Sequence, residues 1–215
     1  MLIQVRKNPS SASDHFAYRR TVSPEEINEL PIRRYAGEVR LVDSAHALAA
    51  AMDDLLQETV VGFDTETRPS FRVGQSYPPS LAQAAGARAV YLFLLQRQDF
   101  SAALARLLSE RHIVKAGVGM ADDLRQLRKA FSFVEHSVVD LGALARRHGL
   151  KRSGVRYLAA VFLGFRVPKG TTTSNWAAPR LTPQQIAYAA TDAWACRELY
   201  LRFQELGLLQ ACQTA

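Results

Sequence analysis

Asp64 and Glu66 stand one residue apart at the end of the apolar run Val60-Val61-Gly62-Phe63. Val60, Val61 and Phe63 have the β-branched or aromatic composition of a buried strand. Side chains on a strand alternate faces, so the two carboxylates point the same way. Two acids on one face repel each other unless a cation sits between them, because burying unpaired charge is costly. A metal site between them is one reading of the pattern, which the rest of the chain favours. The alternative is a strand that frays into solvent with both acids hydrated.

Two later stretches carry acids of the same kind. A helix near Met120 holds Asp122 and Asp123, with its apolar face set by Leu124, Leu127 and Phe131. Asp123 lies four residues before Leu127 and leans toward that face, whereas Asp122 rotates to solvent. A metal-site acid points inward, which favours Asp123; otherwise either acid is a favourable charge in a helix's first turn. In Tyr188-Ala189-Ala190-Thr191-Asp192 the phenol and the carboxylate are one turn apart on one face. Small alanines between them let another backbone or a ligand come close. As a catalytic pair, the carboxylate holds metal while the phenol hydrogen-bonds a water; as a surface pair they do nothing in particular. His112, His136 and His148 have no metal-site spacing. Gly117-Val118-Gly119 lacks the later glycine of a dinucleotide fingerprint, and no Walker lysine follows.

The elements that must position these groups read as follows. Residues 1 to 37 have mixed polarity, three prolines and no sustained period, with a short helix signalled by Ser23-Pro24-Glu25-Glu26. They are expected to be an extension, ahead of one domain over 38–215. Val39 to Val42 reads as a strand, and Ser44 caps a helix whose Leu48, Met52, Leu55 and Leu56 share a face. Arg68 to Pro79 is a proline-rich loop, and Leu81–Ala85 and Ala89–Leu94 form a hairpin around Gly86-Ala87-Arg88. Helices and short strands then alternate, one helix closing at Gly164 as a C′ glycine. Thr182, Pro183 and Gln185 start a last helix that runs to about Leu206. That order predicts an α/β fold with a mixed sheet.

Composition narrows the partners. The 215 residues carry 27 bases against 20 acids, a net charge of +7 with pI ≈ 9.7, which suits a polyanionic partner. Between Arg111 and Arg180 the only acids are Asp122, Asp123, Glu135 and Asp140, among many arginines and lysines. No apolar run is long enough to span a bilayer. Met1 to Phe16 has no apolar core of a secretory signal, and Cys196 and Cys212 are too few for a disulfide framework. A cytoplasmic location is expected, with no membrane partner.

Phe63-Asp64-Thr65-Glu66, then Ala116-Gly117-Val118-Gly119-Met120-Ala121-Asp122-Asp123-Leu124, then Tyr188-Ala189-Ala190-Thr191-Asp192, resemble the three motifs of the DEDDy 3′–5′ exonucleases. Ribonuclease D and the exonuclease domain of the Werner helicase are the nearest in pattern. Val167 to Gly170 and Ser174-Asn175-Trp176 are similar to the same subgroup. The resemblance covers about residues 39 to 206. It implies a ribonuclease H-like mixed β-sheet flanked by helices, two Mg²⁺ or Mn²⁺ ions, and the 3′ end of DNA or RNA as substrate. Asp64, Glu66, Asp123 and Asp192 are the implied metal ligands, and Tyr188 the implied fifth catalytic residue. Asp64 is expected to bridge both ions, Glu66 and Asp192 to complete one site, and Asp123 to support the other. Thr65, Lys169, Trp176 and Arg180 are expected to contact substrate, with the Arg146 to Arg152 cluster holding phosphates and Phe71 or Trp176 stacking on bases. A nucleic-acid-binding module without turnover, and a two-metal phosphatase acting on small phosphoesters, are the rival readings.

Overall fold

The computed structural model describes residues 22–70, 77–169 and 174–209; Phe71, Gly170 and Cys212 lie outside them. The described chain begins with a short helix, α1 (Pro24–Glu29), closed at its start by the Ser23–Glu26 capping box. Six strands follow, interspersed with helices: β1 (Glu38–Val42), β2 (Val60–Glu66), β3 (Leu81–Ala85), β4 (Ala89–Leu94), β5 (Val114–Gly117) and β6 (Val138–Asp140). They form one mixed sheet in the order β1-β4-β3-β2-β5-β6. The β3–β4 hairpin is antiparallel, as its Gly86 turn predicts, and β3 also runs antiparallel to β2. The pairs β1–β4, β2–β5 and β5–β6 are parallel.

Alternation along β2 decides what each face of the sheet meets. Val61 and Phe63 point into a core shared with α2 (Ala45–Leu55), α3 (Ser101–Ser109) and α4 (Met120–Ala130). Each such side chain, fully removed from water, contributes about 1.5–3 kcal/mol. Val60 faces the other way, toward α5 (Leu141–Arg147), α6 (Val155–Leu158) and the long α7 (Pro183–Glu205). Between α6 and Gly164 the chain makes one wider π turn, Ala159–Leu163, and Gly164 ends it at φ 71°.

α7 starts where its sequence says it should. The Thr182 hydroxyl accepts from the Gln185 amide at 3.2 Å, and the Gln185 side chain accepts from the Thr182 amide at 2.8 Å. Ala189, Ala190 and Ala193 lie fully buried against β3 and β4. Their small side chains bring the helix backbone down onto β2, where Gly62 offers no Cβ to resist it. That close approach carries Asp192 to the strand end that holds Asp64.

Residues 22–37 are not loose against this body. Val22 is buried, and Ile27 packs on the α5–α7 side of the core. Ile32 bridges Arg166, whose amide donates to Pro31 O at 2.8 Å and whose carbonyl accepts from Arg33 N at 2.9 Å. No helix of the described residues is long and apolar enough to cross a membrane.

Candidate active site

Asp64 and Glu66 share the α7 face of β2, as period-two alternation requires. Asp192 descends on them from α7, and each of the three offers a carboxylate oxygen within 4.8 Å of the others. Asp123 stands just outside that triplet. It comes from the first turn of α4, which begins after Gly119 in a left-handed conformation, φ 79°. Thr65, on the opposite face of β2 from its two acidic neighbours, donates its hydroxyl to Asp123 Oδ1 at 2.6 Å. Asp122 turns outward and pairs with Arg125.

The electrostatics are those of uncompensated charge. Burial, then the nearby Asp123, Asp192 and Glu66 charges, pushes the Asp64 carboxyl well above the usual carboxylate range. Burial and the same neighbours, Asp192 first, push Glu66 up to about 8. Asp123 and Asp192 each rise to about 6 through burial, held back by Thr65 and by Tyr188 respectively. Asp192 Oδ1 is buried with no hydrogen-bond partner. The Tyr188 hydroxyl interacts with Asp192, and burial followed by that negative charge keeps the phenol protonated. Four crowded carboxylates, one with an orphaned oxygen, fit a divalent cation. All the donors are hard oxygens, which suits Mg²⁺ or Mn²⁺ over softer metals. Cys196, one turn beyond Asp192, is a buried thiol outside the carboxylate triplet, and burial, then the acids, pushes its pKa up.

The pattern of the 3′–5′ exonuclease family matches residues 39–207. The chain belongs to the 3′–5′ exonuclease family. This exonuclease domain is 26% identical over 204 residues to the exonuclease mut-7 homolog of Aedes aegypti, and 31% over 201 residues to that of Homo sapiens. The alignments cover 83% and 80% of this chain but only 28% and 23% of those proteins. Among solved structures, the Aedes aegypti Nibbler EXO domain superposes with a TM-score of 0.73 at 25% identity, covering 84% of this chain and 94% of that one. Escherichia coli RNase D superposes at 0.69 and 22% identity, over 82% of this chain and 49% of its own. The fold is therefore ribonuclease H-like, as the motif resemblance implied.

The residues expected to touch substrate fall in different places. Thr65 spends its hydroxyl on Asp123. Trp176 is 2% exposed, tilted against Tyr188 with ring centroids 6.0 Å apart. Arg180 is exposed just ahead of the α7 cap, and Lys169 is exposed on the groove beside α6. Two neighbours of the site carry no motif. Gln83 pairs with Asp64 across β2 and β3, is 0% exposed, and leaves both amide atoms without a partner. Its sequence signal is a lone amide in an otherwise apolar strand. Arg156 draws the Asp192 pKa down by its charge, and nothing in the sequence separates it from the other arginines.

These shifts set the stability of the metal-free protein. Folding raises the carboxyl pKa values, so the native state holds protons that the unfolded chain has released, and stability falls as pH rises through the folded values. Asp123 and Asp192 near 6 and Glu66 near 8 define the window. In EDTA, Tm is expected to drop between about pH 5 and about pH 8. Mg²⁺ or Mn²⁺ should restore it most at the alkaline end, because a ligand that binds only the native state stabilises by mass action. A Tm at pH 8 that ignores both ions would show that these acids do not hold them.

Proposed function

We infer that this exonuclease domain removes nucleoside monophosphates one at a time from the 3′ end of single-stranded or frayed DNA or RNA, using two divalent ions. The convergence of Asp64, Glu66 and Asp192 within 4.8 Å carries the reading. In this DEDDy-type scheme Asp64 would hold both ions, Glu66 and Asp192 would complete one site, and Asp123 would support the other. When bound, the ions sharpen a water nucleophile and stabilise the departing 3′ oxygen. Tyr188, its hydroxyl protonated and set beside Asp192, orients the water for attack on the terminal phosphorus. The bond from phosphorus to the 3′ oxygen of the penultimate nucleotide breaks, a proton from the water ends on that oxygen, and a nucleoside 5′-monophosphate leaves. Residues 38–215 form the exonuclease domain and 1–37 an extension. A reducing, cytoplasmic setting suits the free thiol of Cys196.

A 3′-labelled oligonucleotide tests this. Labelled mononucleotide should appear first in Mg²⁺ or Mn²⁺, and EDTA should stop its release. Tight binding with no metal-dependent release would leave a non-catalytic binding module instead, and cleavage inside the strand would reject 3′-end chemistry.

A further inference from the structure

A groove of ≈ 790 Å³ runs between α1 and α6. One wall is α1 and the segment to Ile32, which lies ahead of the matched residues 39–207 and so outside the family pattern. The other wall is the start of α6 and the segment Arg166 to Lys169. Among the described residues, Arg152, Arg156, Arg166 and Lys169 line it, and no carboxylate does. Glu25, Glu26 and Glu29 of α1 are absent from the lining, which takes Pro24, Ile27 and Asn28 from that helix. Among the described residues none of the four cations forms a salt bridge.

The groove is built, not incidental. Arg166 Nε donates to Leu30 O at 2.9 Å, and Arg156 Nε donates to Val167 O at 3.2 Å, which fixes both walls and aims two guanidinium groups. The Arg152 guanidinium lies 5.3 Å from the centroid of the Tyr157 ring. Apolar surface alternates with the charge: Ile32 is 53% exposed, and Tyr157 and Pro168 also face the space. The groove backs onto α7 next to the acids: Val155 and Val167, which line it, share a packed cluster with Trp194 and Ala195, two and three residues after Asp192. Cations that track a backbone, interleaved with apolar and aromatic surface, are what an unpaired strand needs.

We propose that this groove holds the phosphodiester backbone of a single-stranded polynucleotide on the 5′ side of the bond being cut, with the N-terminal extension as one wall. It rests on the exonuclease reading for which end of the strand sits at the acids. The chain's own first residues are a poor occupant: Arg6, Lys7, Arg19 and Arg20 outweigh Asp14, and like charges repel.

The test separates the two readings. Binding of a fluorescein-labelled 12-nucleotide single strand is followed by anisotropy in EDTA across a salt series, with the full chain. Removing one cation from a phosphate should flatten the slope of log K against log salt by about 0.7, so Arg152→Ala with Lys169→Ala should flatten it by about 1.4. The double variant should also raise KM for the 12-mer in Mg²⁺, and by a larger factor than it raises KM for a dinucleotide. Arg106→Ala, on α3 across the sheet, is the control and should alter neither. An unchanged slope, or an equal loss on dinucleotide and 12-mer, overturns the groove while the exonuclease reading stands. Failure of the wild type to release mononucleotide rejects that reading, and the EDTA slope still tests the groove. Poly-glutamate that competes as well as the oligonucleotide at equal charge assigns the groove to acidic peptides and overturns the proposal.

Discussion

Asp64→Asn should lower the rate of nucleotide release by about 10³-fold or more, roughly 4 kcal/mol of transition-state stabilisation. The same substitution should stabilise the metal-free protein. Asp64 is the acid most crowded by the others, with Asp123, Asp192 and Glu66 all raising its pKa after burial does. A carboxyl whose pKa is raised on folding penalises the native state above its unfolded pKa, and an amide of the same shape removes the penalty. In EDTA at pH 8 the variant should melt higher than wild type, with the difference closing as pH falls toward 5. In saturating Mg²⁺ the order should reverse, since only the wild type has the ligand that the ions stabilise. The paired readout matters because a loss of activity alone also follows from misfolding. A variant that keeps activity within tenfold, or that melts lower in EDTA at every pH, would show that Asp64 is not part of a strained, metal-seeking cluster.

The legible parts of this site are those set by local period. Alternation places Asp64 and Glu66 on one face of β2, and the 3.6-residue turn separates Asp122, paired with Arg125, from Asp123, which reaches Thr65. The capping boxes at Ser23 and Thr182 are equally local, because each closes within three residues. What sequence leaves open depends on distant partners. The strand order cannot be read from the run of elements, since β1 pairs with β4 and β2 with β5 across intervening chain. Trp176 depends on a distant partner too: an aromatic in a polar loop suits a base or a core, and its packing on Tyr188 is not encoded locally. Gln83 becomes notable only once β3 lies beside β2 and sets it across from Asp64. Residues 22–37 read as an extension because they lack periodicity, yet Val22 and the Ile32–Arg166 bridge anchor them through contacts no local pattern encodes.

Gly62→Ala should be the most damaging single methyl in the described chain. A Cβ at this position would sit 1.9 Å from Ala193 O and 2.7 Å from Arg197 N, both backbone atoms of α7. Ordinary Cβ contacts begin near 3.4 Å, so the helix would have to retreat by roughly 1.5 Å, the difference between 3.4 and 1.9. No rotamer change relieves a clash with main chain, and Ala193→Gly cannot rescue it because the obstructing atom is a carbonyl. Overpacking of this kind costs about 3 kcal/mol or more. For a chain of this size that lowers Tm by roughly 6–12 °C. The damage is also directed. Gly62 lies two residues before Asp64, and Ala193 is the residue after Asp192, so the retreat opens the gap between two acids whose oxygens lie within 4.8 Å and are proposed to share the ions. Misplacement by about 1 Å can cost ~10²-fold in rate, so nucleotide release should fall even well below the lowered Tm. Thermal unfolding and a rate measured at low temperature check the two effects separately. Wild-type stability would mean that α7 does not rest on β2 at Gly62, and lost stability with a full low-temperature rate would mean that the spacing of Asp64 and Asp192 is not set by this contact.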